Sequence, residues 1–169
     1  MTDREEHLLA WLRDAYAMEE QFETILESQI SRLKHYPALK QKLQEHLVET
    51  RSQAERVKAC IEDWDEKIST LKQLTAKTIA VAQGLSGLFV DDEVIKGCLA
   101  IYTFKHMEIA SYQILIAAAD AIGDSKTAAT CLQIKVEEER MAAWLGDEIP
   151  GIVSKFLKRD EIAGVEAKR

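Results

Sequence analysis

Eight positions near the start of the chain, Leu8, Leu12, Ala15, Glu19, Phe22, Leu26, Gln29 and Leu33, follow one another in alternating steps of four and three. That rhythm is the seam of a helix packed lengthwise against other helices. It predicts a helix over 4–34 whose inner stripe is apolar except for Glu19 and Gln29. A helix this long has to find partners of similar length to cover its stripe.

Three further segments offer such partners. Over 38–65 the inner side reads Leu39, Leu43, His46 with Leu47, Glu49 with Thr50, Gln53, Val57, Cys60 or Ile61, and Trp64. Over 92–121, with Asp91 or Asp92 as the N-cap, it reads Val94, Cys98, Ile101, Glu108, Tyr112, Leu115 and Ala119, and Lys105 falls on the same line. Over 125–148 it reads Cys131, Ile134, Glu138, Met141 and Leu145, running on to Ile149. Pro150 is expected to break this fourth helix, leaving a short helix around 153–157 within a charged tail over 151–169.

The connections order these helices. His35-Tyr36-Pro37 ends the first, because proline disfavours a helical residue before it and suits the first turn of the next. Gly123-Asp124-Ser125 makes a second tight turn. Between these two hairpins, 67–91 is partly amphipathic, with Leu71, Leu74 and Ile79, and breaks at Gly84 and Gly87, which reads as a long crossover containing an extra helix. Short, long, short is the pattern of a ferritin-like four-helix bundle and not of an up-down-up-down one. The expected fold is all-α, one domain over 1–169, and the scarcity of Gly (7) and Pro (2) agrees with it.

Charge and cysteine content exclude several functions. A net charge of −7 without a Lys/Arg block opposes phosphate neutralisation, so no nucleic-acid partner is expected. The start MTDREEHLLAWL carries no cleavage signal, and the most apolar stretch, 114–122, is too short to span a bilayer. No membrane contact and a cytoplasmic location are the expectation. Cys60, Cys98 and Cys131 lie far apart with no CxxC pair, as reduced core thiols would.

One glutamate interrupts each apolar stripe: Glu19, Glu49, Glu108 and Glu138. Glu108 lies 15 residues before Gly123 and Glu138 lies 15 after it, so both stand roughly 22 Å from the turn. Glu19 stands 18 residues before Pro37 and Glu49 only 12 after it, with Gln53, at 16, bridging the difference. Carboxylates gathered inside a bundle need a counter-charge, and oxygen donors suit iron or manganese. Local cations, Arg51, Lys105, Lys135 and Arg140, offer ion pairs instead. His46 shares a side with Glu49, either as a ligand or as a histidine hydrogen-bonded at the helix edge, whereas His106 points about 200° from Glu108. Tyr16 and Tyr112 sit one turn from Glu19 and Glu108, within reach of a carboxylate.

Several stretches carry a family likeness: LRDAYAMEEQ (12–21), YPALKQKLQEHLVETRSQ (36–53), FKHMEIASY (104–112), EEERMAAWL (137–145) and the tail GVEAKR. Together they resemble the YciE/YciF family of ferritin-like bacterial stress proteins of undefined activity, YciE being the closer match. The resemblance implies a homodimer and a dinuclear iron or manganese centre related to that of rubrerythrin, with a role in metal handling or oxidative or other stress. In that superfamily two helices give a Glu each and two give a Glu followed three residues later by His. Glu19, Glu49, Glu108 and Glu138 match the four glutamates, but Ser52 and Met141 stand where the histidines belong. Gln53 or His46 would then replace one nitrogen donor, Glu137 would add an oxygen, and binding would be weak enough for the protein to purify empty. The alternative is a metal-free helical dimer acting as a structural or interaction module, its carboxylates paired with Lys105, Arg51 and water.

Overall fold

The computed structural model describes residues 2–64 and 93–167. They form four helices, α1 (Asp3–Arg32), α2 (Pro37–Glu62), α3 (Glu93–Ile122) and α4 (Ser125–Asp160). The expected crossover over 67–91, with its extra helix and the Asp91 or Asp92 cap, lies outside the described residues.

Local chemistry sets the ends. Thr2 and Glu5 close a reciprocal capping box that satisfies two backbone donors at the start of α1, and Asp3, Glu5 and Glu6 favour the positive end of the helix dipole. Leu33 takes an extended conformation, and α2 then starts at Pro37, whose missing N–H costs nothing in a first turn. Gly123 turns the chain with φ of 80°, which a residue carrying a Cβ adopts only with strain, and the Asp124 carboxylate caps α4 by accepting from the Thr127 N–H at 3.0 Å.

α1 and α2 form one antiparallel hairpin, α3 and α4 the other. Arg32, at the end of α1, pairs with Glu93, at the start of α3, at 3.0 Å. Lys126, at the start of α4, pairs with Asp63, just past the end of α2. The connection from α2 to α3 therefore joins opposite ends of the bundle, as the ferritin-like order requires. α1 and α3 approach closely at Gly97, where a Cβ would stand 2.6 Å from the Gln29 side-chain oxygen.

All eight positions of the first stripe are buried. Phe22 stacks on Phe104 with ring centroids 4.6 Å apart, joining α1 to α3 at mid-height. Cys60, Cys98 and Cys131 are free and buried, and burial pushes the Cys98 and Cys131 thiols up to about 12, which leaves them inert. No helix among the described residues is long and apolar enough to cross a membrane.

Pro150 does not end the fourth helix. α4 runs unbroken through it to Asp160, so the separate short helix expected within 151–169 is replaced by a continuous one. The lost backbone bond is outweighed by what lies beyond it: Ile152 is buried, Phe156 packs on the core, and Lys155 donates to the His35 carbonyl. The Tyr36 hydroxyl also donates to the Ala167 carbonyl at 2.6 Å, tying the chain after α4 to the α1–α2 turn.

Candidate metal centre

Half-way along the bundle the core stops being apolar. Glu19 from α1, Glu108 from α3 and Glu138 from α4 are each 0% exposed, and each offers one carboxylate oxygen within 4.8 Å of the others. That spacing lets a single ion be shared among them. Three of the four glutamates singled out by the stripes therefore converge.

Glu49 does not join them. Its side chain is 27% exposed and held by Arg140 on one oxygen and by His46 Nδ1, 3.0 Å away, on the other. The physical cause is register: Glu49 stands six residues nearer the α1–α2 turn than Glu19 does, about 9 Å along the axis. His46, from the preceding turn, is the α2 residue that contacts the cluster through Lys105, and its ring lies between Glu49 and the ammonium.

The cation at the centre is Lys105. Fully buried, its ammonium is ion-paired to Glu108 Oε2 and donates to Glu138 Oε2 and, at 2.8 Å, to His46 Nε2. It also lies 3.8 Å from the centroid of the Phe22 ring. Since His46 Nδ1 faces the Glu49 carboxylate and Nε2 faces an ammonium, the hydrogen-bond network assigns the proton to Nδ1 and leaves Nε2 as the acceptor. Burial, and after it the charge of Lys105, lowers the His46 pKa and keeps the ring neutral.

The carboxylates are unequally satisfied. Glu19 Oε1 accepts from the Tyr112 hydroxyl, whereas Glu19 Oε2, Glu108 Oε1 and Glu138 Oε1 find no hydrogen-bond partner among the described residues. Three buried carboxylates face one ammonium, so the full ionised set would carry two uncompensated negative charges. Burial, reinforced by the charge of Glu138, pushes Glu19 up to about 8, against the opposing pull of Lys105 and Tyr112. Burial likewise holds Glu108 well above the usual carboxylate range. Desolvation alone would lower Lys105, but Glu108, Glu138 and Glu19 outweigh it and keep the amine protonated.

The remaining candidates fall outside this inner set. Gln53 is buried, but its amide donates to Glu137 at 3.0 Å, and Glu137 is drawn off by Arg56. Arg51 spans the α1–α2 hairpin to Glu23 and Glu27, and Lys135 pairs with Glu139, so neither reaches the carboxylates. Tyr16 donates to Glu20 at 2.9 Å rather than to Glu19. His106 packs on the Tyr102 ring, away from Glu108 as its position two residues earlier requires.

The donor set fits one ion and not the expected pair. One carboxylate of the four is outside, no histidine follows Glu49 or Glu138 by three residues, and an ammonium holds one side of the cluster. The unpartnered oxygens of Glu19, Glu108 and Glu138 nevertheless supply the hard donors that iron or manganese takes.

Known proteins agree with this architecture. A family described as "Domain of unknown function (DUF892)" matches residues 3–158. A crystal structure of a protein from Xanthomonas campestris pv. campestris is similar at a TM-score of 0.81, with 36% identity over 95% of this chain and 100% of that one. YcfI of Rhodopseudomonas palustris has a TM-score of 0.67 at 25% identity, covering 86% and 94%. The E. coli stress protein YciF has a TM-score of 0.71 at 24% identity, covering 92% and 99%.

Proposed function

The chain belongs to the DUF892 family, and we propose that its bundle centre takes up a divalent cation, iron or manganese, on Glu19, Glu108 and Glu138, in a cytoplasmic role in metal handling or stress defence. One observation carries this reading: three carboxylates without exposure meet at one point, and among the described residues three of their oxygens lack a partner and Lys105 is the one cationic side chain bonded to them. A dication would neutralise the two negative charges that Lys105 leaves. Bound iron or manganese would supply one-electron chemistry toward oxygen or peroxide. The chain's own residues hold its donors in place: Tyr112 fixes Glu19, and Lys105 fixes Glu108 and Glu138. The description of YciF as a stress protein supports the stress assignment.

The working unit we propose is a homodimer. Its support is an apolar groove of about 420 Å³ between α1 and α3, where Trp11, Met18, Met107 and Ile114 meet solvent or line the cleft. Ile114→Glu is expected to shift sedimentation from dimer to monomer; an unchanged dimer would move the interface elsewhere.

A second reading has its own observation. Lys105 already bridges two of the carboxylates, and burial favours the protonated forms of Glu19 and Glu108, which lessens the negative charge left for a metal to neutralise, as in a metal-free structural module. Elemental analysis of protein purified from cells grown with added iron or manganese separates the two. We expect one ion per chain, retained in Glu49→Ala and lost in Glu138→Ala. An empty wild type would decide for the second reading.

A further inference from the structure

Glu108 and Glu138 are used on one oxygen only. Each gives its Oε2 to Lys105, and each leaves its Oε1 without a partner among the described residues. The donors of the cluster thus divide into used and unused ones. Glu108 Oε2, Glu138 Oε2 and His46 Nε2 surround the ammonium, while Glu108 Oε1, Glu138 Oε1 and Glu19 Oε2 have no hydrogen-bond partner among the described residues, in three carboxylates that each bring one oxygen within 4.8 Å of the others. The used set is itself an oxygen, oxygen, nitrogen set of the kind that binds a transition metal, with its imidazole oriented from behind by the Glu49 carboxylate.

We propose that Lys105 is a built-in cation standing in one of two adjacent cation positions, so that the centre has two positions but admits one metal ion fewer than its donors allow. This rests on the preceding reading that the carboxylates take metal. The location of Lys105 supports it independently of any metal. A side chain that usually reaches for water is here 0% exposed, seated on the Phe22 ring 3.8 Å from its centroid, and directed into carboxylates from two helices. Lys105 and Glu108 lie one turn apart on α3, so the helix that supplies a carboxylate also supplies its counter-ion, while Glu138 comes from α4 and His46 from α2.

The same geometry gives the lysine a consequence that a merely structural ion pair would not have. Removing its charge frees Glu108 Oε2, Glu138 Oε2 and His46 Nε2 together, a complete second donor set in contact with the first. A neutral residue at this position should therefore raise the metal capacity of the protein.

The test is a Mn²⁺ titration of the full chain, wild type against Lys105→Gln, with free Mn²⁺ followed by its electron paramagnetic resonance signal and bound Mn²⁺ by elemental analysis after dialysis. We expect the variant to hold one more ion per chain than the wild type, and its bound signal to broaden as neighbouring ions couple. Equal uptake by both proteins overturns the inference about Lys105 but leaves the metal reading standing if that uptake is one ion. An empty wild type beside a variant holding one ion sinks the metal reading and the second position with it, since Lys105 would then fill a single cation site; two empty proteins sink both as well. Should Lys105→Gln be unfolded without metal, its circular dichroism is followed against Mn²⁺. Recovery of helix with the extra ion bound supports the proposal, and failure to recover at saturating Mn²⁺ overturns it.

Discussion

The two hairpins carry glutamates at the same separation, 30 residues from Glu19 to Glu49 and from Glu108 to Glu138, yet they bury them differently. On α3 and α4 both carboxylates lie at equal distances from the Gly123 turn, and both are fully enclosed. On α1 and α2 the turn is off-centre. Glu19 is enclosed, Glu49 reaches a half-exposed position beside Arg140, and α2 fills the interior with neutral His46 and Gln53. The distance of each residue from the turn, and not the spacing between the two, decides whether a carboxylate pair forms across a hairpin. The electrostatics follow: burial raises Glu19 to about 8, while His46 and Arg140 lower Glu49.

Lys105→Met attacks the comparison at its strongest point, since it leaves buried carboxylates without their counter-ion. Breaking a buried pair from one side costs about 3–5 kcal/mol. Urea unfolding at pH 7.5 without metal should show a loss of that order. A loss below about 1 kcal/mol, the level of an exposed pair, would mean that the two hairpins handle charge alike.

The opposite pKa directions give the second prediction. A carboxyl raised in the folded state binds its proton more tightly there than in the unfolded chain, so its contribution is complete below the ordinary value near 4.5 and is lost as pH climbs toward the folded value, about 8 for Glu19. Stability of the metal-free protein should fall from pH 5 to 8, by up to about 1.4 kcal/mol per pH unit for each raised group. Glu49 has the reverse sign, its contribution being lost only as pH falls below the ordinary carboxylate value. Glu19→Gln should flatten the decline above pH 5, whereas Glu49→Gln should leave it in place. For metal-loaded protein, chelation should then lower Tm more at pH 8 than at pH 5, because chelation at pH 8 exposes carboxylate repulsion that protonation relieves at pH 5. Equal shifts at the two pH values would count against metal at this centre.

Much of this arrangement is legible from the residues. The seams of all four helices follow from periodicity, the antiparallel hairpins from their short turns, and Glu108 facing Glu138 from equal distances to Gly123. The unequal distances of Glu19 and Glu49 from Pro37 already carry the signal that Glu49 drops out. Two features are not local in that way. Pro150 reads as a helix end because its effect on its own turn is unfavourable, and only the packing of Ile152 and Phe156 reverses it. Tyr112 reads as a partner of Glu108 because one helical turn separates them, but its hydroxyl crosses to Glu19, a choice set by how α1 packs on α3. Lys105 lies on the inner line of α3, and a buried lysine is rare enough that this position alone marks it for attention.

Tyr112→Phe gives a smaller effect. It keeps the ring and strips Glu19 Oε1 of its donor, so that the carboxyl from α1 is left as poorly satisfied as those from α3 and α4. An orphaned buried acceptor costs about 1–3 kcal/mol. Denaturant unfolding at pH 7 should register that loss, and the midpoint of the stability decline with pH should move upward as Glu19 holds its proton more firmly. A neutral substitution would place the stabilisation of Glu19 elsewhere in the cluster.

The smallest effect belongs to Glu49, the glutamate that the register of α2 excludes. Its pair with Arg140 is partly solvated, with the arginine side chain 62% exposed, so Glu49→Gln should cost less than about 1 kcal/mol. Its metal uptake should equal that of the wild type, because none of the three convergent carboxylates is touched. A measurable change is expected only through His46, whose Nδ1–H would face an amide instead of a carboxylate and whose Nε2 would accept less strongly from Lys105. Should Glu49→Gln abolish metal binding as completely as Glu138→Gln, the two hairpins would be equivalent in function despite their difference in burial, and the centre would have to rearrange around its ion.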